Sequence, residues 1–195
     1  MSYPMHLSPN KYEHTGTQKE RPRMFKSSMI GWFCLLSMCI TIVIPWKVMA
    51  EPELPKADRV VVRKARRQLL LMRGERILFS FDIVLGDAPE GDKLEEGDWR
   101  TPEGSYIIDW RNDHSRYYKS MHISYPSPQY IRESAAASMD PGGMIMLHGY
   151  PPGAETKPEK YAGRDWTNGC IALKNADMDI VWSLVDDGTP IDILP

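Results

Sequence analysis

The sequence predicts one mostly β domain with two short helices. Three observations carry this. Ile77, Phe79, Phe81, Ile83 and Leu85 alternate with Leu78, Ser80, Asp82 and Val84, the period of two of a long strand with one apolar face. Other short apolar runs are separated by Gly and Pro turns. Only two segments pair helical spacing with a start signal. The chain has 195 residues, enough for one ordinary domain, and its 42% hydrophobic content argues against disorder.

Taken in order, residues 51–57 hold two prolines and read as a linker, so the domain runs over 58–195. Val60-Val61-Val62 is a β-branched run, Leu69-Leu70-Leu71-Met72 follows a basic turn, and Arg73-Gly74-Glu75 turns into the alternating strand. These three segments predict an antiparallel meander. Residues 86–104 form a loop region punctuated by Gly86, Pro89, Gly91, Gly97, Pro102 and Gly104. Its six acidic residues from Asp87 to Asp98 lack the fixed spacing of a calcium loop and read as a solvated surface. Residues 105–110 and 122–125 are the next strands. Ser127-Pro128 signals an N-cap with proline at the first helical position, predicting a helix to Met139 before Asp140-Pro141-Gly142-Gly143. Residues 144–147 are a buried strand ending at His148. Residues 150–164 are a loop over the site. Asn175 is expected to cap a second helix whose Met178, Val181, Trp182 and Val185 share a face. It stops near Gly188, and residues 189–193 close the chain as a strand.

Charge divides the chain. Residues 1–50 hold six of its 24 Lys and Arg but two of its 26 Asp and Glu, leaving the remainder acidic. An acidic body is a poor match for phosphate backbones, so nucleic acid is not an expected partner. Residues 1–28 read as a basic, disordered leader, within which Met24 offers a conventional start. Residues 29–44 carry no charge, but a membrane span takes about 20 residues. Arg21, Arg23 and Lys26 precede this run, and Val48-Met49-Ala50 follows it. That is the order of a secretory signal, with cleavage after Ala50. The alternative is an uncleaved N-terminal anchor, since Pro45 and Lys47 crowd the cut, and only then is a membrane a partner. Either reading exports the body to the periplasm or cell envelope.

Export gives the cysteine count its meaning. Cys34 and Cys39 lie in the apolar run, so the exported body keeps Cys170 alone. An unpaired thiol in an oxidising compartment is a liability unless it works. Cys170 follows a polar turn, Thr167-Asn168-Gly169. A thiol nucleophile needs a base to take its proton. His148, at a strand end, is the candidate. The turn's Asn168, Gly169 and Cys170 backbone N–H groups are candidate oxyanion donors, one such donor being worth roughly 3 kcal/mol. Gly169 permits the strained backbone such a turn needs. Gly149 is expected to leave room for substrate, with a nearby carbonyl orienting the imidazole. Trp166 and Tyr125 are cleft candidates, each with packing as the alternative. A zinc site built from Cys170, His148 and a further histidine (His114 or His122) lacks CxxC or HxxxH spacing, so no metal is expected.

With these residues in place, the sequence resembles the L,D-transpeptidase catalytic domain (YkuD) family over about residues 58–194. The similarity rests on His148-Gly149, on Thr167-Asn168-Gly169-Cys170, on Gly188-Thr189-Pro190-Ile191 after a helix, and on Thr101-Pro102-Glu103-Gly104-Ser105-Tyr106 before a strand. The resemblance implies a β-sandwich catalytic domain that needs no cofactor. Its partners would be peptidoglycan stem peptides. Cys170 would form a thioester with a tetrapeptide stem, releasing D-alanine, and pass it to an amine to make a 3→3 crosslink. Carbapenems would acylate the same thiol. Two positions depart from the common pattern. Ala172 stands where many members have arginine, and Asn168 where many have histidine. The Asp-Trp-Thr-x-Gly-Cys-Ile-Ala form is similar to a proteobacterial subgroup, some of whose members look like hydrolases releasing wall-attached protein. Water is thus the alternative acceptor, and a peptidoglycan amidase or carboxypeptidase the alternative enzyme. Arg164 or Arg111 is the candidate to replace the missing arginine on a substrate carboxylate.

Overall fold

β1 (Arg59–Arg63), β2 (Gln68–Arg73) and β3 (Arg76–Asp82) pair antiparallel, as the alternation predicts. The computed structural model describes residues 53–195. The leader, the apolar run with Cys34 and Cys39, and the junction at Ala50 lie outside the described residues. Val60 and Val62 of β1 stand opposite Leu71 and Leu69 of β2, and all four are buried. A bulge between Leu71 and Met72 twists the β2–β3 pair. Beyond it Ile77 is exposed, whereas Phe81, Ile83 and Leu85 reach the core.

β4 (Gly104–Ser115) and β5 (Tyr118–Ile123) form a long hairpin. It extends past the apolar residues 105–110 through Arg111–Ser115, a polar stretch that pairs with β5 by backbone alone. α1 (Pro128–Ala136) starts where expected, with the Ser127 hydroxyl accepting from the Tyr130 N–H. β6 (Met146–His148) pairs antiparallel with β5 and parallel with the two-residue β7 (Ile171–Ala172). Between β6 and β7 lies the predicted loop, which carries a 3-10 turn (Ala154–Thr156) and a one-turn helix, α2 (Pro158–Tyr161). Among the described residues there are thus three helices where two were expected.

α3 (Asn175–Leu184) buries Met178, Val181 and Leu184, each burial contributing about 1.5–3 kcal/mol. Asn175 is not its cap. The residue is the first of the helix, and its Oδ1 accepts the Tyr150 N–H at 2.7 Å instead. β8 (Thr189–Leu194) lies between β1, to which it runs parallel, and β4.

All eight strands belong to one sheet, in the order β3-β2-β1-β8-β4-β5-β6-β7. Its two ends meet. Val84, just past β3, exchanges backbone hydrogen bonds of 2.9 Å with Ala172 of β7. Thr167 N–H donates to Leu85 O at 3.1 Å, and Asp87 N–H to Thr167 O at 3.0 Å. The sheet curls until its edges touch, and a single apolar cluster joins Val60, Leu69 and Phe81 to Met121, Leu147 and Ile171. These bridges past the end of β3 set the 165–170 turn on the seam.

Candidate active site

The parallel pairing of β6 with β7 brings the nucleophile and base candidates together. Leu147 lies beside Ile171 and His148 beside Ala172, so Cys170 stands abreast of Met146. Alternate residues of a strand share a face, which puts Cys170 and His148 on the same face with Cα atoms ~8 Å apart. Both line one cleft of about 410 Å³, together with Lys93, Glu96, Trp99, Tyr117, Met144, Trp166 and Asn168.

Three anchors hold the turn before Cys170. The Thr167 hydroxyl donates to Cys170 O at 2.7 Å and accepts the Gly169 N–H at 3.1 Å. Asp165 accepts the Leu85 N–H at 2.8 Å and takes both Nε and Nη2 of Arg67. This forked ion pair ties the turn to the β1–β2 connection. Gly169 has φ +120°, and a Cβ there would meet Arg100 O at 2.6 Å. Only glycine fits. Because the Gly169 N–H is spent on Thr167, the expected oxyanion donors reduce to two. The Asn168 and Cys170 N–H groups have no acceptor among the described residues.

His148 is buried. Its Nδ1–H donates to Gly149 O at 2.6 Å, which leaves Nε2 as the proton acceptor. Tyr117, at the tip of the β4–β5 hairpin, packs on the imidazole at 4.7 Å between ring centroids, and Trp166 stands edge-on at 5.9 Å. Burial pushes the imidazole pKa below its ordinary value, against the Gly149 hydrogen bond that raises it. Burial likewise pushes the Cys170 thiol up, opposed by the Met146 N–H and the Lys93 charge. The two shifts favour a neutral thiol beside a neutral imidazole at rest, rather than an ion pair.

The remaining site candidates divide. Trp166 lines the cleft, ringed by Tyr117, His148, Tyr150 and Tyr161. Its Nε1 is the one buried side-chain polar atom without a partner among the described residues. Gly149 gives substrate no room. A Cβ there would meet Asn175 Oδ1 at 2.6 Å and the Tyr118 side chain at 2.9 Å, so the glycine serves close packing. Tyr125 is buried behind the cleft wall, against Tyr106 and Tyr130, and donates to Pro141 O at 3.0 Å. Arg164 sits in a shallow groove with Asp87, Lys160 and Trp166, outside the cleft. Arg111 is spent on Asp187 and on the Trp182 and Val185 carbonyls. His122 pairs with Asp109 at 2.7 Å and stacks on Trp110. Lys93 and Tyr117 were not foreseen. A lysine amid acidic loop residues reads as solvated, and a tyrosine at a polar hairpin tip carries no periodic signal.

The L,D-transpeptidase catalytic domain (YkuD) matches residues 57–193. Among solved structures, the helical cell shape determining protein Pgp2 from Campylobacter jejuni (K307A mutant) superposes with a TM-score of 0.55 at 25% identity, over 71% of this chain and 47% of that one. Bd1075 from Bdellovibrio bacteriovorus superposes with a TM-score of 0.50 at 22% identity, over 74% of this chain and 50% of that one. The chain thus spans about half the length of these structures. No curated protein matches. The match over residues 57–193 holds both β6 with His148 and the seam turn with Cys170, and by it the chain belongs to the L,D-transpeptidase catalytic domain (YkuD) family.

Proposed function

We propose that this chain is an exported peptidoglycan L,D-transpeptidase that remodels the cell wall through a thioester on Cys170. The observation that carries the reading is the shared cleft, into which adjacent strands deliver one thiol and one imidazole with Nε2 free. His148 Nε2 takes the thiol proton as Sγ attacks the carbonyl at the L-centre of diaminopimelate. The new oxyanion sits against the Asn168 and Cys170 N–H groups. Collapse breaks the C–N bond, and the imidazolium returns its proton to the departing D-alanine amine. A thioester remains. An acceptor amine, deprotonated by the same Nε2, then displaces the sulfur and forms the crosslink. Pgp2, the cell-shape protein of similar fold, supports a role in wall architecture.

The test is to incubate the protein with tetrapeptide muropeptides and follow the products by mass spectrometry. The expected product is a dimer lacking one D-alanine. Shortened monomers or freed wall-attached protein would instead make water the acceptor. Unchanged substrate with no acyl adduct on Cys170 would overturn both.

A further inference from the structure

Among the described residues two lysines are buried, and only one is fully used. Lys64 is 2% exposed, and its Nζ donates to three acceptors, Gly91 O at 2.5 Å, Thr101 O at 2.8 Å and Glu103 Oε1 at 2.8 Å. An ammonium has three donors, so this one is complete. Lys93 is 3% exposed, but its Nζ meets only Glu95 O at 2.9 Å and Asp98 Oδ1 at 2.7 Å. It also borders the cleft that holds Cys170 and His148. An uncommitted donor on a buried ammonium is costly unless something fills it.

Among the described residues no other cation lines that cleft. Arg67 is held by Asp165, Arg111 by Asp187, and Arg164 lies in the neighbouring groove. Lys93 is the one cation among the cleft's lining residues, and Glu96 the one anion. Ala172, just past Cys170, is fully buried against Val84 and offers no charge. The Lys93 ammonium is also anchored. Asp98 accepts the Leu94, Glu95 and Arg100 N–H groups as well as Nζ, so the carboxylate that holds Lys93 is itself fixed by backbone.

We propose that Lys93 is a specificity-determining residue whose remaining N–H receives a substrate carboxylate beside the scissile amide. The inference rests on the peptidoglycan reading above. A tetrapeptide stem brings two carboxylates near that bond, one on the departing D-alanine and one on the D-centre of diaminopimelate. Either would complete the lysine as Glu103 completes Lys64.

Three synthetic tetrapeptides test this, one with both carboxylates free, one amidated at D-alanine and one amidated at the D-centre. Amidation of the recognised carboxylate is expected to lower wild-type kcat/KM about 10–100-fold, one charge-assisted hydrogen bond, and the sensitive peptide identifies the source. Lys93→Met should process free and amidated peptides at one reduced rate, and Lys93→Arg should recover part of the discrimination. Should Lys93→Met fail to fold, Lys93→Gln combined with Asp98→Asn removes both charges and gives the same readout. The proposal is overturned if wild type is indifferent to both amidations, or if the neutral variants slow on all three peptides while keeping the wild-type ratios. The peptidoglycan reading fails separately, if wild type turns over none of the three.

Discussion

Lys64 and Lys93 share side-chain type, burial and an acidic partner, yet they sit in regions built to opposite ends. Around Lys64 every donor is answered, and the residue knits Gly91, Thr101 and Glu103 to the β1–β2 connection. Around the cleft the accounts stay open. Lys93 keeps a donor, Trp166 Nε1 has no partner, His148 keeps Nε2, and the Asn168 and Cys170 N–H groups find no acceptor among the described residues. Native folds leave few buried polar groups unanswered, and the one buried side-chain polar atom without a partner among the described residues, Trp166 Nε1, lies in this cleft. The lesson is that completeness, rather than burial or charge, separates the groups that hold the fold from those the proposed mechanism uses.

The comparison breaks first at Cys170. Cys170→Ala is expected to abolish product and acyl adduct while leaving the thermal midpoint near wild type, because the thiol donates only across a long 3.7 Å approach to Met144 O. Residual turnover at the wild-type rate would remove the cleft from the chemistry. Lys64→Met probes the opposite region. It leaves Glu103 without its buried partner and should cost about 3–5 kcal/mol of stability, read by urea unfolding, with kcat/KM of the folded fraction unchanged. A loss of activity without a loss of stability would mean that Lys64 is not the purely structural lysine of the pair.

How much of this division the sequence discloses depends on where the information lies. The strands of the core are legible because burial imprints a period of two, as at Phe79, Phe81 and Ile83. The turn before Cys170 is legible because polar residues and a glycine precede the body's lone cysteine. β7 is not, since two residues carry no period, and its existence depends on Val84 and Leu147 arriving from elsewhere. Asn175 has the chemistry of a cap and is diverted by the Tyr150 N–H, 25 positions away. Gly149 looks like space for a ligand until Tyr118 and Asn175 fill it. Lys93 is the sharpest case. Among the acidic residues of its loop it reads as surface, and only tertiary contacts show it buried with a donor to spare.

The smallest expected effect concerns the pH response of the open region, and its sign follows from burial. In the proposed mechanism His148 acts as a neutral base, and its pKa lies below the ordinary 6.5 because Tyr117, Trp166 and the surrounding sheet remove water from the imidazole. The neutral fraction therefore stays high through neutral pH. It falls tenfold per unit only once the pH drops below the lowered pKa, so kcat/KM should hold a plateau and show an acid limb beginning below 6.5. Stability should follow in the same direction. Between the folded pKa and 6.5 the unfolded chain binds the proton and the native chain does not, so stability rises with pH across that window. Tyr117→Ala admits water to the ring. It should carry the acid limb of kcat/KM back up toward 6.5, a several-fold change in rate at a pH between the two limbs. Tyr117 belongs to the hairpin tip and is not among the Gly91, Thr101 and Glu103 partners of Lys64, so Lys64→Met should leave the limb where it stands. A limb that moves with Lys64 and not with Tyr117 would show that the closed region, rather than the cleft wall, sets the protonation of the base.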